Sequence, residues 1–328
     1  MNRQSTLIIL LFISFINLSA FGQYESSIFT PSDSFNIKRF NRSVVTGGSV
    51  YALGSAWLWT QWYSQYELGP FHFYNDMNSW GNMDKAGHLF STYTESRIAY
   101  EFIRWTGVKK DKAIWTAFAV GSGVQLTFEI MDGFSTDWGF SIPDVAFNTL
   151  GAGLFAAQEF AWDEQRIVVK SSNTFKAYPE FIVEGTDGSM TTIRDRATEL
   201  YGSGLGARYL KDYNTMTIWL SANPASFISK SDHQIPEWLN IALGYSSENL
   251  YGGFENAWPA EAPIYFLDQE AFPRYNQYFL SLDVDFTRIK TNSGFLRTAF
   301  KVLNLFKFPA PSLEYNAVHG FRFVPIYW

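Results

Sequence analysis

Seven polar side chains interrupt three otherwise apolar stretches of this chain, and their types and spacing suit ionic chemistry. Asp84-Lys85-Ala86-Gly87-His88 opens one stretch, Glu129 and Asp132 close a second, and Asp144 and Asn148 stand near the start of a third. Residues four apart on a helix share a face, so Asp84 lies beside His88, and Asp144 beside Asn148. Glu129 and Asp132, three apart, do the same. A histidine among carboxylates can act as a general base oriented by an aspartate, which makes His88, Asp84, Glu129 and Asp144 the catalytic candidates. The same types can bind a divalent cation through nitrogen and oxygen, with His88, Glu129, Asp132 and Asp144 as the candidate ligands. They can also bind a lipid, a head group or an envelope partner, or form a polar network that fixes helix register. All seven residues, Asp84, Lys85, His88, Glu129, Asp132, Asp144 and Asn148, form the candidate cluster. No cofactor is expected beyond that cation, because phosphate-binding and dinucleotide-binding loops are absent from the sequence.

For these residues to meet, the elements carrying them must alternate in direction. Apolar periodicity predicts helices over Val44 to Tyr66, Asp84 to Trp105, Asp111 to Met131, and from a Ser141 cap with Pro143 in the first turn to about Gln165. In an up-and-down bundle, the starts of the second and fourth helices and the end of the third lie at one end. There the polar pairs converge.

After residue 165 the pattern changes to short alternating runs. Thr215 to Ser221, Leu239 to Tyr245 and Tyr278 to Phe286 read as strands, and Phe321 to Trp328 is an alternating aromatic terminal strand. About six strand candidates are too few for a closed membrane barrel, which needs eight or more. Gly294 to Phe306 is an amphipathic helix that either lies at a membrane interface or, as the preferred reading, packs on the core. The expected fold is therefore α+β: an antiparallel bundle of about four helices, then a β-rich part with one amphipathic helix. The segments are 1–22 signal peptide, 23–42 irregular lead-in, 43–165 helical bundle and 166–328 β-rich region.

Arg3, the apolar run Leu7 to Phe15, and Ala20-Phe21-Gly22 before Gln23 have the form of a cleavable secretory signal. Export to the periplasm or outer-membrane surface of a Gram-negative cell is expected. The chain has no cysteine, so disulfides, thiolate sites and a lipid-bearing cysteine are excluded for this sequence. Charged residues make up 17% and aromatics 19% of its 328 residues. That balance, against about 25% charged in ordinary domains, suits contact with a membrane surface or lipid. A net charge of −6 without a basic cluster argues against nucleic acid. The second predicted helix is too polar to face lipid all round and the apolar part of the third, about 16 residues, is near the lower limit for a span, so a bundle in the periplasm or resting on a membrane is preferred and a spanning bundle is the second choice.

The runs Asp84-Lys-Ala-Gly-His88, Glu129-Ile-Met-Asp132-Gly and Gly139-Phe-Ser-Ile-Pro-Asp144-Val-Ala-Phe-Asn148-Thr-Leu-Gly151 resemble the YfiM-like family of periplasmic lipoproteins, a domain of unknown function. A more distant resemblance is to VanZ-like membrane proteins. It covers about residues 43 to 165 and implies association with the cell envelope, without an activity. This sequence departs from the lipoproteins in lacking the cysteine. Two functional readings follow. One is a non-enzymatic, membrane-associated envelope protein that binds a lipid, head group or partner through the cluster. The alternative is an envelope hydrolase, with or without a metal, acting on a lipid or cell-wall head group through His88 and the nearby carboxylates.

Overall fold

The structure is a computed structural model, and it describes residues 31–61, 63–65, 67–228, 234–259 and 263–328. The signal-peptide assignment falls on residues 1–22, outside the described residues. Four long helices come first: α1 (Ile37–Gln61), α2 (Met83–Trp105), α3 (Lys110–Asp132) and α4 (Ile142–Trp162). The first begins inside the segment expected to be an irregular lead-in. Asn36 explains the early start: its side chain accepts from the amides of Lys38 and Arg39, capping the first turn. The fourth is capped as expected, with Ser141 Oγ accepting from the Asp144 amide at 3.1 Å.

Small residues bring α2, α3 and α4 close together. A Cβ on Gly121 of α3 would meet Ser96 Oγ at 2.2 Å, and one on Gly151 of α4 would meet the Leu89 carbonyl oxygen at 2.4 Å. Bare glycine faces therefore let both helices lie directly on α2, whose backbone carries His88.

The β-rich half holds β1 (Ile167–Asn173), β2 (Ile182–Glu184), β3 (Met190–Thr192), β4 (Met216–Ala222), β5 (Leu239–Glu248), β6 (Ala257–Trp258), β7 (Tyr265–Phe266), β8 (Tyr275–Val284), β9 (Ala310–Asn316) and β10 (Gly320–Tyr327). Six of these form one antiparallel sheet in the order β1-β4-β5-β8-β9-β10. Besides the amphipathic helix, α7 (Gly294–Leu303), the half contains two short helices, α5 (Ile193–Tyr201) and α6 (Leu205–Lys211). The fold is α+β. Its main core crosses residue 165: Met83, Tyr93, Ile114 and Phe155 from the helices pack with Val168, Met216 and Ile218 from the sheet.

The large sheet is rolled. In a flat sheet β4 and β10 would lie about 19 Å apart, four spacings of about 4.8 Å. Yet Tyr327 of β10 packs its ring 6.0 Å from that of Trp219 on β4, and its hydroxyl lies 3.0 Å from Thr217 Oγ1.

The polarity of the rolled sheet is inverted. Its inner face is buried and largely polar, around a small aromatic cluster of Trp219, Phe279 and Tyr327. Lys170 Nζ pairs with Asp283 at 2.8 Å with both side chains fully buried, Ser221 Oγ donates to Asp283, Asn240 donates to Ser221 Oγ, and Gln277 and Asn316 both donate to Glu314. The outer face is apolar: the bundle covers it at Met216 and Ile218 of β4, and it is exposed over much of β5, β8, β9 and β10. Cross-strand register aligns Leu220, Leu243, Leu280, Leu313 and Phe323 in one continuous row. The next row toward one end holds Tyr245, Tyr278, Tyr315 and Phe321. Leu243 is 59% exposed and Phe321 73%.

The amphipathic helix does not pack into the core. None of its residues is buried, and Phe295 is 67% exposed. It is anchored through Lys301 Nζ to Glu101 at 2.7 Å and through Phe300, whose ring stacks on Phe286 at 6.1 Å. The helix links β8 to β9, and its salt bridge reaches Glu101 on α2 of the bundle. Among the described residues, no helix is long and apolar enough to cross a membrane.

Candidate functional site

The bundle brings six of the seven candidates into one network at its sheet-facing end. His88 stands one turn into α2. Its Nε2 lies 3.7 Å from Asp84 Oδ1, 3.5 Å from Glu129 Oε1 and 3.8 Å from Asp144 Oδ1. Its Nδ1 lies 3.1 Å from Asn148 Oδ1, which also accepts from Thr92 Oγ1 at 2.8 Å. Lys85 is fully buried and holds three carboxylates: Asp76 at 2.6 Å, Asp84 at 2.9 Å and Asp144 at 2.8 Å. Asp84 in turn accepts from the Tyr213 hydroxyl at 3.0 Å.

The seventh candidate is turned aside. Asp132 Oδ1 accepts from Tyr63 at 2.8 Å and from Trp138 Nε1 at 2.6 Å. These bonds hold the carboxylate at the mouth of the loop after α3. The i, i+3 spacing put it on the Glu129 face, but it sits at the last residue of the helix, where the chain turns away.

Two features position this end of the bundle. The loop ahead of α2 runs through left-handed backbone at Asn78, Trp80, Gly81 and Asn82. The sheet grips it there: the Trp80 amide donates to the Gly253 carbonyl at 2.7 Å, and the Tyr245 hydroxyl donates to the Gly81 carbonyl at 2.6 Å. A Cβ on Gly81 would meet Ser247 Oγ at 2.6 Å, so glycine is required both by φ and by space. Second, Ser141 Oγ donates to Asp76 Oδ1 at 2.6 Å while capping α4, tying that loop to the helix that carries Asp144.

The electrostatics follow from crowding. Asp76, Asp84, Glu129 and Asp144 face one ammonium, that of Lys85, and one imidazole. Burial pushes Glu129 up to about 8, with the charges of Asp144 and Asp132 adding to it against His88. Burial, then repulsion from Asp84, raises Asp144 to about 7. For His88, burial acts downward, but Asp84, Asp144 and Glu129 outweigh it and hold the ring up at about 9. Asp84 goes the other way: burial acts upward, but His88 and Lys85 draw it below the usual carboxylate range. At neutral pH the network keeps positive charge on His88 and a proton on Glu129, because negative charge is in excess.

Chemically, then, the cluster is an acidic, mostly buried site that favours a positive ligand. Asp84, His88 and Asp144 each offer a ligand atom, all within 4.8 Å of one another. His88 and Asp84 keep 17% and 21% of their side chains exposed, so the site is reachable from one side.

Sequence spacing did not reveal Asp76, Thr92 or Tyr213, and it marked Ser141 only as a helix cap. Thr92 lies four residues after His88 on the same helix face, and that i, i+4 relation was a usable signal. Asp76 lies in an irregular loop and Tyr213 comes from the second half of the chain, 129 residues from its partner. No local period marks either one.

One family profile, described as "Predicted periplasmic lipoprotein (DUF2279)", matches residues 72–158. The match covers α2, α3 and most of α4 and includes Asp76 through Asn148 of the network. It agrees with an uncharacterised envelope protein exported to the periplasm. The chain contains no cysteine, the residue that carries a lipoprotein's acyl groups. No curated protein and no solved structure matches the chain significantly.

Proposed function

We propose that this is a non-enzymatic envelope protein that rests on a membrane through the outer face of its rolled sheet and binds a positively charged ligand at the His88 cluster. The observation that carries the membrane element is the inverted sheet. Water-facing sheets put apolar residues inward and polar residues outward. Here the ion pair Lys170–Asp283 is inside, and the Leu220-to-Phe323 row is outside. An exposed apolar patch of this extent marks a contact surface.

Its dimensions favour lipid on one side only. From Leu239 to Tyr245 the outward residues run about 20 Å along β5, at about 3.4 Å per residue. A bilayer's hydrocarbon core is about 30 Å. The β10 edge has no strand partner among the described residues, and open edges are not tolerated within hydrocarbon. Both points fit a face that dips into one leaflet. The exposed rings of Tyr278, Tyr315 and Phe321 form the kind of aromatic row that settles at head-group level. The exposed apolar residues of α7, Phe295, Leu296 and Leu303, and those of α1, Val44, Val45 and Leu53, add to the lipid-seeking surface.

Charge complementarity supports the ligand element. An excess of carboxylates suits an ammonium head group or a cation and opposes a free anion. His88, kept protonated by its neighbours, is a poor general base near neutral pH, which favours binding over the hydrolase reading. The match to periplasmic proteins and the narrower YfiM-like resemblance of the Asp84–His88 and Asp144–Gly151 runs both suit this location.

Flotation tests the membrane element. Residues 23–328, mixed with phosphatidylethanolamine/phosphatidylglycerol vesicles and spun through a sucrose step gradient, should rise with the lipid. Folded protein that stays in the dense layer at both low and high salt would remove the membrane from this reading.

A further inference from the structure

The ligand of the cluster can be named more closely, an inference that rests on reading the cluster as a ligand site. We propose that Asp84, His88, Glu129 and Asp144 bind one divalent transition-metal ion, zinc by preference, through Oδ1, Nε2, Oε1 and Oδ1 respectively.

Geometry is the first argument. The three carboxylate oxygens stand 3.5, 3.7 and 3.8 Å from His88 Nε2. Those separations exceed the 2.7–3.2 Å or so of a good N–H···O hydrogen bond. They approach the edge of a tetrahedron around zinc, which is roughly 3.3 Å for bonds of about 2.0–2.1 Å. Asp84, His88 and Asp144 offer ligand atoms all within 4.8 Å of one another, and Glu129 Oε1 approaches the same His88 nitrogen at 3.5 Å.

The second argument is an unpaired atom. Glu129 has 1% of its side chain exposed, and its Oε1 has no hydrogen-bond partner while it points toward the His88 ring nitrogen. A buried polar oxygen left without a partner typically costs about 1–3 kcal/mol. Its other oxygen is reached by the Ser141 amide at 3.4 Å, so the carboxylate is held in place with one oxygen free.

The histidine is also prepared. Asn148 Oδ1 can only accept, so His88 Nδ1 must carry the proton of that contact. In the neutral ring Nε2 then presents a lone pair to the carboxylates, the arrangement a metal-ligating histidine needs. Lys85 Nζ pairs with Asp84 through Oδ2, leaving its Oδ1 to the ion, and with Asp144 Oδ1 itself at 2.8 Å, which keeps the two carboxylates together before the ion arrives. An imidazole nitrogen in the set favours zinc or a neighbouring transition metal over calcium and magnesium, which prefer oxygen alone.

The test uses tag-free protein, residues 23–328, stripped with EDTA and dialysed. Calorimetric titration with zinc chloride should show one ion per chain. Cobalt titration should give the intense visible absorption of four-coordinate Co²⁺. His88→Ala and Glu129→Gln should each weaken zinc binding at least 100-fold, and Asn148→Ala about 10-fold as an orienting partner. Circular dichroism establishes that each variant is folded, and Glu129→Gln, the closest in shape, serves if His88→Ala is not. Zinc binding that is unchanged in both His88→Ala and Glu129→Gln overturns the assignment, because the ion then sits elsewhere. Absence of zinc and cobalt binding to the folded parent overturns it as well. In that case a parallel titration with phosphoethanolamine separates the two claims. Binding lost in Asp84→Asn would leave the ligand-site reading standing without the metal, and no binding of either probe would end both.

Discussion

Replacing Leu243 and Leu280 by aspartate should release the protein from lipid while leaving its fold intact. The two leucines are cross-strand partners at the middle of the outer row, and both are about half exposed. If that face meets hydrocarbon, each leucine withdraws roughly 100 Å² of apolar surface from water, worth about 2.5 kcal/mol at ~25 cal/mol per Å². A loss of 2.5 kcal/mol is about 50-fold in a partition coefficient, since about 1.4 kcal/mol is tenfold. The single variant Leu243→Asp should therefore bind vesicles about 50-fold more weakly, and the pair well over 500-fold. Aspartate in place of leucine on an exposed strand should cost no more than about 1 kcal/mol of folding stability per site. The assay is vesicle sedimentation across a lipid titration, with a urea melt on the same samples. Unchanged partitioning of the folded double variant would refute the reasoning. So would a large stability loss, because it would mean that the outer face is covered by protein.

Other expectations test the interior. Lys170→Met strands the buried Asp283 carboxylate and should cost about 3–5 kcal/mol in urea denaturation, whereas a cost under about 1 kcal/mol would mean that water reaches the pair. Glu95 is held up to about 7 by burial, above its ordinary 4.5. The unfolded chain gives up this proton first, so stability should fall as pH rises from about 4.5 to about 7 and then level off. Glu95→Gln removes that slope and should be more stable than the parent by up to about 3 kcal/mol above pH 7, seen as the difference between their thermal melts across pH. Gly151→Ala forces a methyl against the Leu89 carbonyl and should cost about 1–3 kcal/mol while moving Asp144 and Asn148 off His88. A substitution tolerated without loss would show that α4 does not rest on its glycine face.

The local sequence determined a good deal about this protein. Periodicity and caps specify the helices because each depends on neighbours within a turn: Ser141 caps α4 whatever surrounds it. Four-residue spacing places His88 beside Asp84 and Asn148 beside Asp144 because a helix has one pitch. The alternation of Tyr278 to Val284 announces a strand with two unlike faces.

Tertiary structure decided the rest, and for a physical reason. Alternation says that two faces differ but not which one is inside. In β8 the polar residues Gln277, Ser281 and Asp283 went inward, because partners on distant strands, Glu314 and Lys170, satisfy two of them there. The amphipathic pattern of Gly294 to Leu303 was likewise compatible with a core contact or an exposed one. Its placement beyond the end of β8 left Phe295 in the open. Convergence of the polar pairs was legible from up-and-down packing, yet Asp132 turned away at the helix end, while Asp76 and Tyr213 joined from a loop and from the other half of the chain. Those contacts exist only after the sheet grips the loop before α2, and no residue's immediate neighbours encode that event.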